Sequence, residues 1–85
     1  MRRFELHAYQ IPAVREFLAK LKPREELTYR LALSGMFPQF RSGEWQRRRD
    51  ELLAELAPDE AKVERYLKRA KAMEGRLRFI ITEIG

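Results

Sequence analysis

The sequence predicts an α+β domain in which four helices cover one face of a two-stranded sheet. Two observations carry this prediction. Both ends of the chain alternate between apolar and polar residues, which is the period of a half-buried strand, and the segment between them repeats its apolar residues at helical spacing. The predicted order is β-α-α-α-α-β, with the N- and C-terminal strands paired. A chain of 85 residues is expected to form one such unit, so residues 1–85 are treated as a single domain.

The two strands are predicted over residues 3–9 and 76–84. Alternation places one set of apolar residues toward the helices, and the second segment is also rich in β-branched residues. The inward residues are Phe4, Leu6 and Ala8 in the first strand and Leu77, Phe79 and Ile81 in the second. Because two strands leave both outer edges unpaired, we expect a homodimer that forms through strand edges.

Proline and glycine mark the limits of the first two helices. Pro12 suits the first turn of a helix that runs to Lys22. Pro23 ends that helix or begins the next one. The second helix is expected to end at Gly35, which can adopt the left-handed conformation that terminates many helices.

The third and fourth helices are predicted from a cap, an acidic first turn and two apolar stripes. Ser42 is a candidate N-cap for the third helix, and Glu60 lies in the first turn of the fourth. Gly75 is expected to end the fourth helix. Its predicted inward residues are Val63, Tyr66, Leu67, Ala70 and Met73.

An aromatic loop and a Trp–Arg pair permit two interpretations each. Phe37 and Phe40 could plug the helix layer, or they could be an exposed anchor for another protein. Arg49 falls within the apolar stripe of the third helix, so its guanidinium must reach the surface, stack on Trp45 or meet a carboxylate. Alternatively, Trp45 and Arg49 are presented together to a partner. These four residues and the open strand edges define the alternative function, a protein–protein interaction module or a small subunit of a larger complex.

The charged residues are unusual in kind. The chain has 13 Arg and 5 Lys, 11 Glu and 2 Asp, and neither Asn nor Cys. Few amides and many long charged side chains are typical of thermophile surfaces, whereas an excess of Arg also suits phosphate binding. Without Cys there is no disulfide framework and no thiol chemistry.

The net charge of +5 is concentrated near the C-terminus. Residues 61–85 hold seven Lys and Arg against three Glu, a net +4, while residues 1–60 carry only +1. An exposed row of such cations can neutralise phosphates without reading base sequence. We therefore predict a small non-enzymatic nucleic-acid-binding or regulatory protein. The predicted phosphate contacts are Lys62, Arg65, Lys68, Arg69, Arg76 and Arg78, on the last helix and strand.

Enzyme chemistry is not predicted. His7 is the only His, and the four Gly are isolated, so there is no metal cluster, phosphate loop or nucleophile elbow. Glu5 and His7, beside the arginines of the outer sheet face, allow a metal-independent ribonuclease as a minor alternative. We predict no catalytic residue, metal or cofactor. No apolar run approaches the roughly 20 residues of a membrane span, and the first residues lack the apolar segment of a signal peptide, so a cytoplasmic protein is expected.

Overall fold

Residues 5–84 fold into four α-helices. The computed structural model describes residues 5–84, which form α1 (Ile11–Ala19), α2 (Pro23–Met36), α3 (Gly43–Ala54) and α4 (Glu60–Ile84). Two short 3-10 turns, Ala8–Gln10 and Pro38–Arg41, precede α1 and α3. Because residues 5–84 contain no β-strand, the fold is all-α, and the prediction of an α+β domain is wrong.

The first three helices and the start of the fourth are confirmed, except that α1 ends at Ala19 and not at Lys22. Pro12 and Pro23 lie in the first turns of α1 and α2, where a missing N–H removes no helical hydrogen bond. Ser42 is the N-cap residue of α3, although its hydroxyl makes no capping hydrogen bond. The prediction that Gly35 ends α2 in the left-handed conformation is wrong, because Gly35 is helical and α2 ends at Met36. Among the described residues the positive φ belongs to Gly43, at 61°.

The largest correction concerns residues 76–84, which are helical. Helix α4 continues through Gly75 for 25 residues, a length of about 37 Å at 1.5 Å per residue. Leu77 and Ile81, one turn apart, are each 1% exposed, whereas Phe79 is 66% exposed. The predicted strand places Leu77, Phe79 and Ile81 on one buried face, whereas helical spacing buries only Leu77 and Ile81.

Burial of the apolar stripe explains why α4 does not stop at Gly75. A glycine in a helix interior costs about 1 kcal/mol relative to alanine. Leu77 and Ile81 join the core cluster that also contains Leu18 and Leu33, and burying a side chain of that size contributes roughly 1.5–3 kcal/mol. The gain from two such residues exceeds the cost of the glycine, so the helix continues. The same stripe leaves Leu67, predicted to face inward, 49% exposed.

The predicted N-terminal strand is wrong wherever the structure describes it. Arg3 and Phe4 lie outside the described residues. Leu6 is buried in the core, as predicted, but the chain then enters the 3-10 turn Ala8–Gln10. With no strand in residues 5–84, the described part of the chain offers no sheet edge through which the predicted homodimer could form.

The side chain of Gln10 links the N-terminal segment to the end of α4 through hydrogen bonds. Its side-chain oxygen accepts a hydrogen bond from the backbone N–H of His7 at 2.8 Å, and its amide nitrogen donates to the carbonyl of Ile81 at 3.4 Å. That carbonyl is among the last four of α4, which have no partner within the helix. The buried Gln10 therefore satisfies part of a helix end and fixes the position of the preceding residues.

Helix α2 lies at the centre of the domain and packs against both α4 and α3. Two hydrophobic clusters cover its two sides. The larger one is shared with α1 and α4, and the smaller one consists of Leu27, Leu52 and Tyr66. Within residues 5–84, no helix combines the length and the apolar character needed to cross a membrane.

Candidate phosphate-binding groove

A groove lined by cations runs between the first turn of α2 and one side of α4. It consists of two adjoining hollows of about 300 and 320 Å³, which share Arg24 of α2 and Arg69 of α4. We define the basic groove by five cations from these hollows: Arg24, Lys62, Arg65, Arg69 and Arg76.

Helical spacing places four of the five on one side of α4. Lys62, Arg65, Arg69 and Arg76 fall within about 60° of one another around the helix axis, at 3.6 residues per turn. The row spans about 21 Å along that axis, at 1.5 Å per residue. Arg24 faces this row from α2, because Pro23 begins that helix beside α4.

Tyr66 orients two of these cations. The Nε of Arg24 donates a hydrogen bond to the Tyr66 hydroxyl at 3.3 Å, which raises the pKa of Arg24. The guanidinium carbon of Arg69 lies 5.7 Å from the centroid of the Tyr66 ring, within the range of a cation–π contact. Both contacts position a guanidinium and leave its charge in place.

None of the five cations of the basic groove forms an ion pair with a carboxylate of residues 5–84. The one carboxylate that lines the two hollows belongs to Glu25. Among the acids of residues 5–84, Lys62 contacts Asp59, and it does so through its backbone N–H, which donates to the Asp59 carboxylate at 3.2 Å. The groove thus concentrates positive charge that the described part of the chain does not neutralise.

The arginines between α2 and α3 behave differently, because they are paired. The carboxylate of Glu26, a residue 7% exposed, accepts two hydrogen bonds from Arg48, both at 2.9 Å, and one from Arg30 at 2.7 Å. Arg48 also lies 3.7 Å from Glu51, three residues further along α3. These arginines connect two helices and are not available to an external anion without breaking that network.

We expect the Glu26 network to make stability sensitive to acid. Hydrogen bonds from Arg48 lower the pKa of Glu26 below its ordinary value of 4.5, and they outweigh its burial, which acts in the opposite direction. A carboxyl group whose pKa is lower in the folded state contributes stability that is fully present above 4.5 and is lost as the pH falls through the folded-state pKa. Urea unfolding of wild type and Glu26→Gln at several pH values measures this contribution.

Glu26→Gln should lower the free energy of unfolding by about 1–2 kcal/mol at pH 7, and this difference should shrink as the solution becomes more acidic than pH 4.5. Glu51→Gln is the matched control. Its carboxylate is mostly exposed and touches the same arginine, so a change within about 0.5 kcal/mol is expected. Equal losses for the two variants, or a difference independent of pH, would contradict a structural role for Glu26.

Two of the six predicted phosphate contacts lie outside the basic groove. Lys68 and Arg78 are exposed on α4, but helical geometry places them about 100° and about 180° around the axis from Arg69. The expected sheet face that would have joined Arg76 and Arg78 to Glu5 and His7 does not form, because its strands are absent from residues 5–84.

The aromatic loop folds inward. Phe37 and Phe40 are 4% and 2% exposed, and their rings meet edge to face with centroids 6.1 Å apart. The interpretation in which these residues plug the helix layer is confirmed. Neither ring offers surface to a partner in this conformation.

Trp45 is half-buried, and its ring is covered by other side chains. The ring of Phe40 meets it edge to face at 4.7 Å, and the guanidinium carbons of Arg15 and Arg30 lie 5.1 and 5.5 Å from its centroid. Arg49, 21% exposed in its side chain, meets the carboxylate of Asp50 at 3.1 Å, which is one of the three outcomes expected for it. Trp45 and Arg49 therefore serve contacts within the fold.

Sequence reasoning missed Arg24, Glu25 and Tyr66 as groove residues. The sequence places Tyr66 among the inward residues of the fourth helix, and Tyr66 is indeed buried. No pattern in the sequence indicates that its hydroxyl lies at the groove. Arg24 is more than 35 positions from every other cation of the groove. Only the packing of α2 on α4 brings these residues together.

Comparisons with protein-family models, with curated proteins and with solved structures give no match to this chain.

Proposed function

We propose that this protein binds the phosphate backbone of nucleic acid in the basic groove, without catalysing a reaction. The observation that carries the proposal is the set of five cations along one groove, none paired with a carboxylate of residues 5–84. Elsewhere in residues 5–84, Arg15, Arg30, Arg48 and Arg49 have carboxylate partners. Lys22, Arg41, Arg47 and Lys68 form no ion pair with a carboxylate of residues 5–84 either, but they do not line the groove, so what distinguishes the five is their place along one groove.

Like charges in one groove repel each other, and a polyanion relieves that repulsion. A row of cations about 21 Å long can contact several phosphates of one nucleic-acid strand. Four of the five groove cations are arginines, whose planar guanidinium can donate two parallel hydrogen bonds to one phosphate. Contacts of this kind set affinity and position and leave base sequence unread.

Salt dependence tests the proposal. Fluorescence anisotropy with labelled random-sequence DNA, single-stranded and duplex, should show affinity that falls steeply with salt. If all five cations contact phosphates, the slope of log K against log salt should be about −3.5 for a single strand and about −4.5 for a duplex. Four-fold more salt should then weaken single-strand binding about 100-fold.

The triple variant Arg65→Gln/Arg69→Gln/Arg76→Gln should make the slope for a single strand shallower by about 2, at roughly 0.7 per lost contact. Lys20→Gln/Arg47→Gln/Lys71→Gln is the control, since it removes the same formal charge from exposed positions outside the groove, and Lys71 lies on the opposite side of α4 from the groove cations. Glu25→Gln should strengthen binding. If the two triple variants lose affinity equally, binding depends on net charge and not on the groove. If wild type does not bind at low salt, the proposal fails.

A further inference from the structure

Two aromatic rings of the described chain are strongly exposed. Tyr9 is 68% and Phe79 is 66% exposed, whereas the rings of Phe17, Tyr29, Phe37, Phe40, Trp45 and Tyr66 are buried or half-buried. Exposing a large ring forfeits the free energy of burying it, so each of these two rings needs an explanation.

Phe79 extends the basic groove along α4. It lies three residues after Arg76, about 4.5 Å further along the axis. Around the axis it is about 40° from Arg65, about 60° from Arg76 and about 80° from Arg69, so it lies at the edge of the helix side that carries the groove cations, next to Lys68. The row of cations is therefore followed, one turn later, by an exposed ring.

Tyr9 lies near the same end of α4. Its neighbour Gln10 donates a hydrogen bond to the carbonyl of Ile81, two residues beyond Phe79. The ring of Tyr9 stacks on that of His7, with centroids 5.5 Å apart and planes 6° from parallel. Both side chains are exposed, so the stack presents a flat outer surface to solvent.

We infer that the ligand of the basic groove is single-stranded nucleic acid, whose bases stack on Phe79 and on the Tyr9–His7 pair while its phosphates follow the cations. This inference rests on the proposed function and narrows its substrate. Proteins that bind single strands combine a positively charged track with exposed aromatic rings, because unpaired bases have free faces. A duplex keeps its base faces within its own stack, so it can use the cations but not the rings.

The test compares a labelled mixed-sequence DNA strand of about 12 nucleotides, a length within the site sizes known for such proteins, with the same sequence as a duplex. Phe79→Ala and Tyr9→Ala should each weaken single-strand binding by about 5- to 100-fold and leave duplex binding and the salt slope unchanged. Phe79→Tyr keeps the ring and should keep the affinity. Leu67→Ala, which removes an exposed apolar side chain from another side of α4, is the control and should change neither single-strand nor duplex affinity. An aminopurine base in the strand should be quenched by wild type and less so by Phe79→Ala.

The outcomes separate the two proposals. If wild type binds neither form, the proposed function fails and this inference fails with it. If both forms bind with steep salt dependence but neither alanine variant weakens the single strand, phosphate binding stands and base stacking is overturned. If Phe79→Ala instead converts a dimer to a monomer by light scattering and leaves binding unchanged, the ring serves contact with a second copy and the inference is overturned.

Discussion

Leu77→Ala is expected to lower the free energy of unfolding by about 2–5 kcal/mol, the range for removing a fully buried leucine. The side chain is 1% exposed and belongs to the main core cluster, where α4 packs against α2 and α1. Ile81→Ala should cost a similar amount, since Ile81 is equally buried one turn later. Urea unfolding followed by circular dichroism measures both losses.

Phe79→Ala is the matched control, and its free energy of unfolding should stay within about 0.5 kcal/mol of wild type. The pair of results distinguishes the helix from the strand predicted over residues 76–84. In a strand, Leu77, Phe79 and Ile81 share one face and would all be costly to remove. A large loss for Phe79→Ala would contradict the helical register of α4.

The second large effect is expected at Gly75, where two substitutions should act in opposite directions. Gly75→Pro removes a helical hydrogen bond and clashes with the carbonyl of Lys71, which should cost about 3 kcal/mol or more. Gly75→Ala should stabilise the protein by up to about 1 kcal/mol. Apart from its chain neighbours and the backbone of α4, a methyl group there meets no heavy atom within 4 Å, so no clash offsets the gain in helix propensity.

The sign of the alanine effect is decisive. If Gly75 ended the helix in the left-handed conformation, an added Cβ would strain that backbone, and Gly75→Ala would destabilise the protein. Loss of stability in the alanine variant, or tolerance of proline, would show that α4 does not run continuously through this position. Thermal unfolding of the two variants beside wild type provides the measurement.

The same helix accounts for what sequence reasoning achieved at the candidate site. Lys62, Arg65 and Arg69 recur at spacings of three and four, so their common face follows from helix geometry alone. Arg76 joins this row only because α4 continues past Gly75, and for the same reason Arg78 faces away from it. A strand over residues 76–84 would have placed Arg76 and Arg78 side by side.

The sequence by itself determined where most helices begin, because prolines and acidic first turns act within a few residues of their own position. It also determined the concentration of positive charge in the last third of the chain and the apolar character of the loop that holds Phe37 and Phe40. These properties depend on local chemistry and composition.

The tertiary structure decided the conformation of residues 76–84. Leu77 and Ile81 are compatible with a strand period and with a helix period, and Gly75 locally favours a helix end. Contact with α2 and α1 selects the helix, because burying those two side chains outweighs the cost of the glycine. The packing of α2 on α4 likewise brings Arg24 to Tyr66 and Arg69, across a separation in sequence that no local pattern spans.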